Sequence, residues 1–243
     1  MVKVKVLADS ISEEKVRLVT IEAEYPRIIH CELLTHRVFS RNSASSRAIP
    51  FNKMCEQLVG IPSKFGSNKP GMQDGGNHTS KVQIIELAHN GRATINHLIP
   101  ELAWGKALES SAYYAKAFSG AGYHKQVFNR LTEPFQMIKT VISSTEWSNF
   151  LWLRDDDAAD PTIRELAVKI KEALDKSIPT VLSSAQWHLP YVYTEGGNYF
   201  LTAGGTELTL DDAKMVSAAR CAAVSYRNTD YTLEKCRSVW SNL

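Results

Sequence analysis

Between Arg37 and Arg47 the chain places three guanidiniums, Arg37, Arg41 and Arg47, and four hydroxyls, Ser40, Ser43, Ser45 and Ser46, within eleven residues that hold no carboxylate. The planar fork of arginine matches phosphate oxygens, and a charge-assisted hydrogen bond contributes about 1.5–3 kcal/mol net. The segment therefore reads as an anion site. The competing reading of the same letters is a solvated basic loop with turn-forming serines. Just upstream, Glu32, Thr35 and His36 are spaced i, i+3, i+4 and share one helical face, while Ile29 and Leu33 share another that packs inward.

These residues need a frame. Pro26 suits the first position of a short helix, since its missing N–H has no partner there. Met1 to Ala8 alternates as a strand, and Val16 to Tyr25 offers a second. Helical spacing is expected over Phe51–Val59, Glu101–Phe118, Tyr123–Leu131, Glu146–Arg154, Pro161–Ile178, Asp211–Ser225 and Thr232–Trp240, with a strand at Gln136–Ser144. Region 61–80 is rich in proline and glycine and reads as a loop-rich insertion in a single domain spanning 1–243. The order of elements predicts an α/β (α+β) fold, with a central antiparallel or mixed sheet flanked by helices.

Composition narrows the chemistry. With 243 residues, 44% apolar and 22% charged, and a net charge of +2, the chain has the make-up of a soluble globular protein without the strongly basic face of a nucleic-acid carrier. No apolar run is long enough to span a membrane, and the charged, alternating N-terminus is unlike a signal peptide, so the cytoplasm is the expected location. Cys31, Cys55, Cys221 and Cys236 lie far apart and read as reduced, mostly buried thiols with no zinc or disulfide pattern. The run Asp155-Asp156-Asp157 reads as a solvated loop, so no metal is expected. His188, in Gln-Trp-His-Leu-Pro-Tyr, reads as a hydrogen-bonded structural residue. Neither Gly-x-Ser-x-Gly nor Gly-x-Gly-x-x-Gly is present in a fitting context.

Thr35-His36-Arg37, seven residues, then Ser45, with Asn42 in the gap and Arg47 two positions on, resembles the Arg-His-Arg motif of the flavin-dependent thymidylate synthases, with Thr35 in place of its first arginine. Asn149-Phe-Leu-Trp-Leu-Arg154 is similar to that family's Asn-Phe-Leu-x-Leu-Arg helix. Ser217 to Tyr226 resembles its Arg-Ala-Ala-Arg-Val-Ser-Phe segment, which in the family precedes the basic motif, so the order implies a circular permutation. The family's His-x-x-Pro-Phe-Glu-His signature does not occur within the 243 residues. Ala158 stands where the family often has histidine, and Ala223 where it tends to have its second arginine.

The resemblance implies that FAD, recharged by NADPH, transfers a one-carbon unit from methylenetetrahydrofolate to C5 of dUMP without a protein nucleophile. It implies substrate contacts from Glu32, Thr35, Ser43, Ala44, Ser45, Ser46, Arg47 and Arg154. The implied cofactor contacts are His36, Arg37, Val38, Asn149 and Arg154. A homotetramer with sites between subunits is expected, binding a small pyrimidine nucleotide, with no nucleic acid and no membrane. Arg47 and Arg154 are expected to converge on one anionic guest. Glu32 stands where the family tends to have glutamine. A carboxylate only accepts hydrogen bonds, so dCMP or another altered pyrimidine nucleotide, methylated or hydroxymethylated at C5, is the alternative substrate. The alternative of another class is a degenerate, non-catalytic nucleotide binder.

Overall fold

The computed structural model describes residues 2–56, 58–71, 75–87, 91–226 and 231–243. The first half comprises β1 (Lys3–Ser12), β2 (Arg17–Pro26), a 3-10 turn at Arg27–Ile29, α1 (His30–Leu34), β3 (Ser40–Ser43), α2 (Phe51–Cys55), β4 (Val82–Leu87), β5 (Ala93–Leu98) and α3 (Pro100–Gly120). There follow α4 (Lys125–Phe128), a 3-10 helix at Asn129–Phe135, β6 (Met137–Ser144), α5 (Ser148–Arg154), α6 (Pro161–Lys176) and β7 (Thr180–Leu182). Last come β8 (Tyr193–Glu195), β9 (Asn198–Phe200), β10 (Glu207–Leu208), α7 (Leu210–Ala223), a 3-10 turn at Val224–Tyr226 and α8 (Leu233–Trp240).

The main sheet has the order β3-β6-β2-β1-β7. Its pairings are antiparallel except for β7, which runs parallel to β1, so the sheet is mixed. Strand β2 lies second from neither edge, and its Val19, Ile21, Ala23 and Tyr25 are all buried at the period of two a strand imposes. Against that face packs α6, whose Ile163, Leu166, Ala167 and Ile170 are fully buried. Each large apolar side chain so buried contributes about 1.5–3 kcal/mol. The start of α6 is set by Asp160, which accepts hydrogen bonds from the amides of Thr162 (2.8 Å) and Ile163 (3.1 Å), followed by Pro161 in the first turn.

A second cluster of Leu189, Leu208, Ala213, Met215, Val216, Ala219 and Cys236 lies between α7, α8 and the three-stranded sheet β10-β9-β8. Arg220 holds it together by donating to the carbonyls of Tyr191 (2.8 Å), Leu201 (2.9 Å) and Tyr231 (2.9 Å). This cluster is joined to the main sheet through His188, whose ring nitrogens meet Ser10 Oγ and Thr20 Oγ1, each at 2.7 Å. His188 is thus the bonded structural residue its surroundings imply.

Several boundaries differ from expectation. Pro26 ends β2 opposite Met137 instead of opening a helix, because its φ of −57° with ψ of 128° continues the extended chain into the 3-10 turn. The helix after it therefore stops at Leu34, and Thr35 closes it. Residues expected as loop include β3, which pairs with β6 through Ser40–Ser43. The hairpin β4–β5 follows the irregular region 61–80, whose described residues hold only an isolated bridge between Gly66 and Asn77. Only Cys236 of the four cysteines is buried; Cys31 and Cys55 are exposed and Cys221 half-buried. Cys31 lies two positions from both Ile29 and Leu33, which take the inward side of that turn. No helix of the described residues is long and apolar enough to cross a membrane.

Candidate functional site

The basic stretch leaves β3 as a loop fastened on three sides. Ala44 N donates to Lys139 O (2.8 Å) on β6, and Ser45 N donates to Ser225 O (3.0 Å) just after α7. Asn42 donates to Cys221 O (2.8 Å) and Ala222 O (3.2 Å), and accepts from Ser225 Oγ (3.1 Å). The third tie comes from α4 and the 3-10 helix that follows it: buried Asn129 of the 3-10 helix donates to Ser46 O (2.7 Å) and Ile49 O (3.1 Å), and Lys125 of α4 to Ala48 O (2.9 Å). Two segments nearly 180 positions apart, Asn42–Ser45 and Cys221–Ser225, are thereby held in direct contact.

At this loop opens a cleft of about 310 Å³, lined by Arg27, Ser45, Ser46, Arg47, Arg130 and Glu133. Glu133 Oε1 accepts from both Arg27 Nη2 (3.1 Å) and Ser46 Oγ (2.7 Å). Arg47 and Arg130 are exposed and have no hydrogen-bond or ion-pair partner among the described residues. Two unpaired guanidiniums beside two serine hydroxyls form an electropositive cleft, a setting that favours an oxyanion.

A second polar group forms where α1 meets α5. Arg154 Nη1 donates to Glu32 Oε2 (3.1 Å) and its Nε to His36 Nε2 (3.1 Å). The buried His36 ring meets Phe150 edge-on, with centroids 4.9 Å apart. Burial, then Arg154 and Arg41, push His36 below the usual histidine pKa, which keeps Nε2 free to accept. Burial raises the Glu32 carboxyl and Arg154 opposes it. Arg41 belongs to neither group: it donates to the carbonyl of Leu34 (2.8 Å), the last residue of α1, and to those of His36 (3.1 Å) and Phe39 (2.9 Å) in the loop beyond.

Of the expected substrate residues, Ser45, Ser46 and Arg47 meet in the cleft, whereas Glu32 and Arg154 pair in the second group. Arg154 does not line the cleft that Arg47 lines. Thr35 Oγ1 is turned back onto Glu32 O (2.6 Å), and Ser43 Oγ accepts from Thr140 (3.1 Å). The Ala44 side chain is packed in the main core, so a contact from it to a guest is excluded by burial. Arg37, Val38 and Asn149 are exposed and flank the His36–Phe150 contact in sequence. Their guanidinium, aliphatic and amide groups suit a flavin's diphosphate and ring in kind.

Sequence reading missed Arg27, Arg130 and Glu133. The one signal was Arg130-x-x-Glu133 ahead of Pro134, a charged pair one turn apart in a segment otherwise rich in buried residues. Asp155 pairs with Lys171 (3.1 Å) and Asp157 with Arg164, and no group of ligating side chains among the described residues is arranged to hold a metal. Neither a model of a known protein family nor a curated protein matches the chain.

Proposed function

We propose that this chain is a flavin-dependent enzyme that transfers a one-carbon unit from methylenetetrahydrofolate to C5 of a pyrimidine deoxynucleotide, converting dUMP to dTMP. The observation that carries the reading is the pair of guanidiniums, Arg47 and Arg130, unpartnered among the described residues and lining one cleft with Ser45 and Ser46. A nucleotide phosphate is the anion this set is built to accept: compact, with several oxygens for forked donors. Contact between Asn42–Ser45 and Cys221–Ser225 also supports it, since the two stretches that resemble one family in permuted order lie together in space.

In this reading FAD supplies the reducing equivalents when bound, recharged by NADPH. The chain's own residues orient and clamp. Arg47 and Arg130 fix the phosphate, and Asn129 and Asn42 hold the loop that carries Ser45 and Ser46. His36 and Arg154 present a preset face toward which Arg37, Val38 and Asn149 add cofactor contacts. A homotetramer, with the cleft of one copy facing the Glu32–Arg154 group of another, brings Arg47 and Arg154 to one guest although they are separate within a chain.

Calorimetric titration of dUMP tests this reading. Arg47→Ala and Arg130→Ala are each expected to weaken binding at least tenfold, as the loss of one charge-assisted hydrogen bond of about 1.5–3 kcal/mol requires. Unchanged affinity in both would sink it. Turnover of dUMP and dCMP is then compared with FAD, NADPH and methylenetetrahydrofolate present. The second reading, dCMP as substrate, rests on the Glu32 carboxylate, which has Arg154 on only one oxygen and is left 40% exposed. Nucleotide binding without flavin uptake or turnover would make the chain a non-catalytic binder.

A further inference from the structure

The cleft contains a residue that an anion site would not need for affinity alone. Glu133 places a carboxylate among Arg27, Arg47 and Arg130, and it takes the Arg27 Nη2 proton and the Ser46 hydroxyl proton for itself. We infer that Glu133 is a specificity-determining residue that makes the cleft select a phosphate monoester over nucleoside di- and triphosphates. The inference rests on the reading that the cleft holds a nucleotide phosphate.

Three guanidiniums against one carboxylate leave two net positive charges, which match the charge of about −1.5 to −2 that a phosphate monoester carries at neutral pH. A second or third phosphoryl group adds negative charge that the cleft does not offset, and Glu133 repels it directly. A like charge beside the site costs the more highly charged partner more than the intended one, which is how it discriminates. The donors agree. With Arg27 engaged and the Ser46 proton turned to Glu133, Arg47 and Arg130 are the forks left free, enough for one phosphoryl group. A cleft of about 310 Å³ adds little room for more.

Glu133→Gln separates charge from structure, because the amide oxygen still accepts from Arg27 and Ser46 while the negative charge is gone. Dissociation constants for dUMP, dUDP and dUTP are measured by calorimetry without divalent cations, on the full chain and on E133Q, with thermal melts as a fold check. The full chain is expected to bind dUMP at least tenfold tighter than dUTP, and E133Q to cut that ratio at least fivefold. Equal weakening of all three nucleotides, or a ratio that E133Q leaves unchanged, would show Glu133 to be merely structural and overturn the inference. Binding of none of the three by the full chain defeats the nucleotide reading itself, whereas wild-type binding lost in R47A but with an unaltered E133Q ratio defeats only the role of Glu133.

Discussion

The two polar groups fed by one basic stretch differ in how their charges are spent. Around Arg154 two of the three guanidinium nitrogens have internal acceptors: Glu32 takes Nη1 and His36 takes Nε. Around Arg47 the backbone is tied down while the guanidiniums of Arg47 and Arg130 stay unpaired among the described residues. One group is mostly paired within itself; the other is tied down beneath and open above. Preorganised donors over a fixed backbone bind without the cost of ordering the loop. A closed pair instead sets geometry, so the cleft is read as the binding element and the Glu32–His36–Arg154 group as a positioning one.

The contrast breaks most visibly if the floor of the cleft is loosened. Asn129→Ala removes donors from Ser46 O and Ile49 O, both hydrogen-bonded by a fully buried side chain. Two abandoned carbonyls would cost about 1–3 kcal/mol each. Part of this is recovered, because Asn129 Oδ1 is itself buried without a partner. The expected net loss is about 2 kcal/mol, or a fall in melting temperature of about 4–8 °C for a chain of this size, with weaker dUMP binding although Asn129 does not line the cleft. A melt and a titration on the same sample check it; a stable variant with unchanged affinity would show that the loop needs no pin.

How far this was legible in the letters follows from the same contrast. Ser45, Ser46 and Arg47 could be singled out because their density in one segment is a local property. Arg27, Arg130 and Glu133 could not, since their role arises only when the turn after β2 and the 3-10 helix before β6 are brought together across the sheet. The strong periodicity of α6 and β6 placed both within two residues, because burial on one face dictates their pattern. Short elements such as β3 and β7 escaped: three or four residues carry too little period, and their pairing is imposed by β6 and β1. Arg41 looked like a third anion ligand, and nothing in its neighbours signalled that it would instead bind the last carbonyl of α1 and two carbonyls of the loop after it.

A smaller effect concerns His30, which feels the charges of the cleft residues Arg27 and Glu133. Its Nδ1 meets the Tyr25 hydroxyl at 2.9 Å. Burial, then the charges of Arg27 and Arg41, hold its pKa down to about 4. The folded state therefore binds a proton less readily than the unfolded chain, whose histidine titrates near about 6.5. This contribution to stability is fully present above that value and is lost as pH falls toward the folded pKa. Melts at pH 7, 5.5 and 4.5 are expected to show a steady decline whose slope is shallower in His30→Gln. An identical slope in the variant assigns the decline to other groups, His36 and His188 first, since burial lowers both.

The smallest stability change is expected at Glu32, where the largest change in selectivity would be most telling. Its carboxyl is raised, so the attraction of Arg154 does not fully offset the cost of removing the charge from water. The sign follows: a raised carboxyl favours the protonated form on folding, so ionising Glu32 costs the fold a little stability, lost as pH rises through that raised pKa. Glu32→Gln should then leave the melting temperature nearly unchanged, within about 1 kcal/mol, as exposed ion pairs generally do. The same substitution turns an acceptor-only group into one that both donates and accepts, which suits the O4 of uracil better than the N4 amino group of cytosine. If Glu32 reads the base, E32Q shifts the dUMP-to-dCMP ratio toward dUMP with the fold intact. If it only anchors Arg154, the ratio stays fixed and affinity for both nucleotides drops together.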